Sequence, residues 1–161
     1  MLVDIAPEDH AQMAARQRWL AVLAKAPLAQ LEAAWDALDD KPTYRILRPH
    51  ETGLVMVRGR IGGTGQPFNF GEMTMTRAAV QLLDAAGEGG HAGFGHVSGR
   101  SARRAELVAL FDAMLQDPDR CRVIVGIVVE PLAAAQQAAK AARTAKVMAS
   151  KVDFFTMTRG E

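Results

Sequence analysis

A chain of 161 residues has room for one domain with a substantial core and little room for a second, so residues 1–161 read as a single domain. Apolar residues make up 49% and charged residues 23%, with 19 basic side chains against 18 acidic ones, a balance that excludes a disordered polyelectrolyte and disfavours a domain that tracks a nucleic-acid backbone. Cys121 is the only cysteine, which excludes an internal disulfide, a thiolate zinc site and an iron-sulfur cluster held by this chain alone.

Met1 to His10 lacks a basic segment followed by an apolar one, reads as a disordered tail, and carries no secretory signal. Trp19, Leu20, Val22 and Leu23 then mark the apolar side of a helix that should stop before Pro27. Leu28, Leu31, Trp35 and Leu38 recur at helical spacing and complete an N-terminal helical hairpin. The period changes at Tyr44. "TYRILR", "GLVMVRGRI", "GEMTMTRAAVQLL" and "FGHVSGR" predict four strands of an antiparallel meander, with the glycine-rich loop Asp84 to Gly93 before the last. A helix follows, capped by Ser101, with Leu107, Leu110, Phe111, Met114 and Leu115 on one side.

"DPDRCRVIVGIVVEPL" carries both a helix start at Asp117–Pro118 and a β-rich run of valines, and the helical stripe is preferred. The alanine-rich segment after it is the clearest helix in the chain, and "KVDFFTMT" predicts a last strand that returns to the sheet. The expected class is α+β. The longest apolar run, Val123 to Val129, is broken by Gly126 and ended by Glu130 and Pro131, far short of a bilayer's thickness. A cytoplasmic location is the expectation.

The stretch "VRGRIGGTGQPFNFGEMTMTR", Val57 to Arg77, concentrates five glycines and three arginines. A P-loop requires a lysine after its second glycine, and none occurs between Lys41 and Lys140; the dinucleotide pattern fails because Phe68 stands where its third glycine should be. A glycine hairpin between strands is the simpler reading. The candidates for holding an anion are Arg58, Arg60, Gly62, Gly63, Gly65 and Arg77, with a second cluster at Arg100, Arg103 and Arg104 beside the helix start at Ser101. His91 and His96 form no metal motif, and no catalytic triad can be assembled around Ser98, Ser101 or Cys121. Glu72 and Asp153 stand among apolar neighbours and call for arginine partners, with Arg77 and Arg159 the natural ones. Lys140, Arg143 and Lys146 read as a solvated helix face.

The ordered set "RQRWLAVLA", "YRILRPHETGLVMVRGRIGGTGQPFNFGEMTMTRAAVQL", "HVSGRSARRAELVALFDAMLQ", "EPL" and "KVDFFTMTRGE" resembles the G subunit family, PhnG, of bacterial carbon-phosphorus lyase. The resemblance implies a core complex with the H, I and J subunits (PhnH, PhnI and PhnJ) about a two-fold axis. Its first step exchanges the adenine of MgATP for a phosphonate such as methylphosphonate, with the I subunit carrying that chemistry and J the radical cleavage. No catalytic residue and no cofactor transfers to this chain. It would act as an auxiliary subunit, or else hold triphosphate or phosphonate through the GGTG hairpin and the arginines; a stand-alone nucleotide or RNA binder is a third reading. The stretch Asp84 to His96 departs from the expected pattern and reads as a surface excursion.

Overall fold

The computed structural model describes residues 7–61, 64–84 and 86–150. Helix α1 spans Pro7–Leu23 and α2 spans Leu28–Asp36. Between them, Pro27 has no N–H to lose and its carbonyl receives the amides of Gln30 and Leu31, which starts α2 without a side-chain cap. The helix beginning at Pro7 enters the stretch expected to be a tail.

Strands β1 (Tyr44–Gly59), β2 (Phe68–Leu83) and β3 (Gly89–Ser98) form one antiparallel sheet in the order β1-β2-β3. The sheet therefore has three strands among the described residues rather than four. The two segments expected on either side of Pro49 are one strand, because register shifts at Ile46/Arg48 and Arg48/Glu51 absorb the irregularity without ending the pairing. Segment 151–161, expected to be a further strand, lies outside the described residues.

Helix α3 (Ala102–Leu115) is the hub: every residue from Leu107 to Leu115 is buried. It shows no simple two-sided pattern because the sheet covers one side while α1, α2 and α4 (Pro118–Ile124) pack on the others. Trp35 meets Phe111 edge to face, with ring centroids 6.1 Å apart. Ser101 stands at the N-cap position, but its hydroxyl does not cap the helix as expected.

The stretch Asp84 to His96 is no surface excursion. Only its first part is a turn, closed by Asp84 Oδ1 accepting from the amides of Ala86 and Glu88; the rest is β3, laid directly under α3. A Cβ on Gly93 or Gly95 would stand 1.9 Å from the carbonyl oxygen of Ala109 or Ala105, so glycine is what lets the helix backbone rest on the strand.

After α4 a π-helical turn, Val125–Val129, leads into α5, Glu130–Ala149. The valine-rich segment is thus helical, as preferred. The continuous helix Pro118–Ala149 has the length and apolarity of a bilayer span, with a window of mean hydropathy 1.2, which the search for an uninterrupted apolar run missed. Its first part is turned onto the protein core through Ile124, Val128 and Leu132.

Candidate docking surface

The polar groups that look most reactive are consumed by the fold. Asp112 is fully buried on α3, where an ionised carboxylate needs full compensation. Arg16 of α1 provides it with Nε 3.0 Å from Oδ1 and Nη2 2.6 Å from Oδ2, while Trp19 Nε1 donates to Oδ1 at 2.9 Å. The fourth donor is the Phe94 amide, 2.9 Å from Oδ2. Gln116 and Arg16 then donate to the Ala92 carbonyl, and Arg104 donates to that of Ser98. Side chains thus cap much of the free edge of β3, where unpaired strand groups would otherwise invite another chain.

A second polar node joins the sheet to the start of α3. Thr76, fully buried, donates to the Gly99 carbonyl at 2.7 Å and accepts from the Ser101 amide at 3.2 Å. Its Oγ1 lies 3.1 Å from that of Thr52 on β1. Nearby, Tyr44 Oη donates to Glu106 at 2.7 Å; this bond first, and burial second, push the Tyr44 phenol above its usual range. Arg103 is paired with the same Glu106. None of these groups stands free to act on a substrate.

The arginines picked out in sequence do not converge. Arg77 sits opposite Glu51 in the sheet and bonds it through Nε and Nη2; this hydrogen bond, and then the guanidinium charge, lower the Glu51 carboxyl. The expected Glu72–Arg77 pair is therefore replaced by Glu51–Arg77, because Glu72 lies five residues down β2 and opposite Met56. Arg58 pairs with Asn69, seven residues along β1 from Glu51, a separation of about 23 Å. Arg60 Nη1 closes its own loop by donating to the Gly65 carbonyl at 2.9 Å. Arg100 is exposed beyond β3, Arg104 is bonded to Ser98, and Gly62 and Gly63 lie outside the described residues, as do Asp153 and Arg159.

A cleft of about 640 Å³ between α1 and the end of α3 includes His91 and Cys121. Its Arg16 is already bound to Asp112. Among the described residues no group of three metal-ligating side chains occurs.

What the surface does offer is apolar. β3 ends its pairing with β2 at Met75 and Ser98, while β1 and β2 continue together to Gly59 and Phe68. This two-stranded ribbon projects about 20 Å past the three-stranded part. Leu54 is 64% exposed, Met56 51% and Phe70 59%, with Val55 and Phe68 also open. Ribbons of two strands are marginal in water, and here the tip is braced by the Phe68 and Phe70 rings, 4.3 Å apart. Phe70 lies over Gly59, where a Cβ would come 2.2 Å from the ring. Next to it, a register shift between Val57 and Arg58 is accommodated by Gly71 at φ 149°, a conformation closed to other residues.

At the other end of the chain, residues 137–149 of α5 are exposed and carry Lys140, Arg143 and Lys146, as expected, together with Val147 and Met148. Sequence reading missed Arg16, Trp19 and Asp112. The available signal was an aspartate inside the apolar run of α3, a placement that demands a buried partner.

The family described as "Phosphonate metabolism protein PhnG" matches residues 14–160. A Rhizobium meliloti (strain 1021) protein named alpha-D-ribose 1-methylphosphonate 5-triphosphate synthase subunit PhnG is 46% identical over 153 residues, covering 95% of this chain and 94% of the relative.

Proposed function

Because the chain belongs to the PhnG family, we propose that it is a subunit of an α-D-ribose 1-methylphosphonate 5-triphosphate synthase assembly and works by lending surfaces to it. The assembly would exchange the adenine of MgATP for methylphosphonate at the ribose C1′. The partners in this reading are the H, I and J subunits, arranged about a two-fold axis, with the bond-making carried by a partner. The observation that carries the reading is the β1–β2 ribbon, which keeps Leu54, Met56 and Phe70 in water. Exposed apolar side chains on an otherwise marginal element fit an interface completed by another chain. The arginines fit it too, since Arg16, Arg60, Arg77 and Arg104 are engaged within the fold.

Co-expression with the H, I and J subunits, followed by isolation of the complex and an adenine-release assay, tests this. The expected outcome is a complex that contains this chain and loses activity when it is omitted. A full-rate assembly lacking this chain would overturn it.

A further inference from the structure

We propose that the outer edge of β1 at Thr52, Leu54 and Met56 is a strand-addition site that takes an extended apolar segment of a different polypeptide. The identification of that polypeptide as a fellow synthase subunit rests on the function proposed above. The edge itself follows from the hydrogen-bond pattern.

In an antiparallel pair, successive residues point their N–H and C=O alternately toward and away from the partner. The Thr74 carbonyl accepts from Gly99 on the β3 side, and Thr76, two residues on, faces Val97 of β3. The even-numbered residues of this part of β2 are therefore turned toward β3 and away from β1. Their cross-strand partners are Thr52 for Thr76, Leu54 for Thr74 and Met56 for Glu72. Those three residues must direct their amides and carbonyls outward, while Glu51, Gly53, Val55 and Val57 bond to β2.

The free edge segments of β3 and β1 are treated differently. On β3, Ala92, Phe94 and Ser98 have edge groups bonded to side chains of Arg16, Gln116, Asp112 and Arg104. On the first part of β1, Pro49 and two register shifts disrupt regular pairing. From Glu51 to Val57 the register runs without a break, and none of these outward backbone groups has a partner among the described residues. The devices that prevent edge pairing stop before the exposed Leu54, Val55 and Met56.

An added strand would lie beside Leu54 and Met56 on one face and Val55 on the other, all exposed, so apolar residues on both faces suit it. At the far end stands the exposed Arg58, so a carboxylate in the incoming segment would complete the match. Backbone bonds would supply affinity and these side chains the selectivity.

Amide exchange of the intact chain, alone and in the complex with the H, I and J subunits, tests the proposal residue by residue. Alone, the amides of Thr52, Leu54 and Met56 should exchange fast and those of Gly53 and Val55 slowly; in the complex all five should be slow. Leu54→Pro removes an outward N–H without touching the β1–β2 ladder. It should weaken assembly at least about tenfold while the isolated chain unfolds as before. A complex in which those three amides still exchange fast would overturn the proposal, as would assembly of Leu54→Pro at the original affinity. So would protection already present in the isolated chain, whether removed by deleting residues 151–161 or by dilution, because the occupant would then be the chain's own end or a second copy. Failure to form any complex would instead remove the function proposed above, leaving the exchange pattern of the isolated edge as measured.

Discussion

The two halves of the β1–β2 pair differ sharply in what surrounds them. Near Ala78, Val80 and Leu82, β2 is buried under α3 and flanked by β3, whereas from Leu54 to Phe70 the two strands have a neighbour only in each other. The packed half uses its polar groups to hold the fold, through Thr76 and through Tyr44, which donates to Glu106 of α3. The projecting half has few polar bonds and many apolar side chains. Cohesion and recognition are thus separated along one pair of strands.

That separation predicts a graded response to substitution. Asp112→Ala should have the largest effect, about 3–5 kcal/mol lost from the isolated chain, because Arg16 and Trp19 would lose their acceptor and the β3 edge its cap; the midpoint of denaturant unfolding measures it. Gly95→Ala forces a methyl group against the Ala105 carbonyl and should cost about 1–3 kcal/mol in the same measurement. Thr76→Val leaves the Ser101 amide without its acceptor, for a loss of about 1–3 kcal/mol. In the projecting half, Met56→Ser should move stability by no more than about 0.5 kcal/mol yet weaken complex formation. Equal costs in the two halves would erase the comparison.

The smallest effect concerns pH. Glu51 has a carboxyl pKa lowered from 4.5 by Arg77, so its contribution is present above that value and lost as pH falls through the depressed one. Glu51→Gln should flatten this acid limb of an unfolding profile and leave stability near neutral pH almost unchanged. Tyr44 has the opposite sign: its phenol is raised from 10.0, so its contribution is intact below that value and lost as pH climbs through the raised one. Tyr44→Phe should remove that alkaline dependence.

Local signals were strong enough to read most helices. Alanine content identified α5, and Asp117, whose side chain accepts from the Asp119 amide, together with Pro118 marked the start of α4. Strand number was harder, since Pro49 is a breaker in isolation but is tolerated on an edge where its missing N–H matters little. The glycines near Gly93 look like loop in sequence because flexibility and close approach leave the same letter; only the position of α3 tells them apart. The candidate surface was the least legible part. Arg77 chose Glu51 over Glu72 through strand register, and the Arg16–Asp112 pair spans residues whose proximity depends on how α1 meets α3.

The π turn at Val125–Val129 works as a phase corrector. Ile124, Val128 and Leu132 all face the core at intervals of four, a spacing that in a regular α-helix drifts steadily around the cylinder. The wider turn cancels part of that drift. Excising one residue from it would rotate the whole distal rod by about 100°, sending Lys140, Arg143 and Lys146 to a new azimuth while leaving the chemical identity of every remaining side chain unchanged.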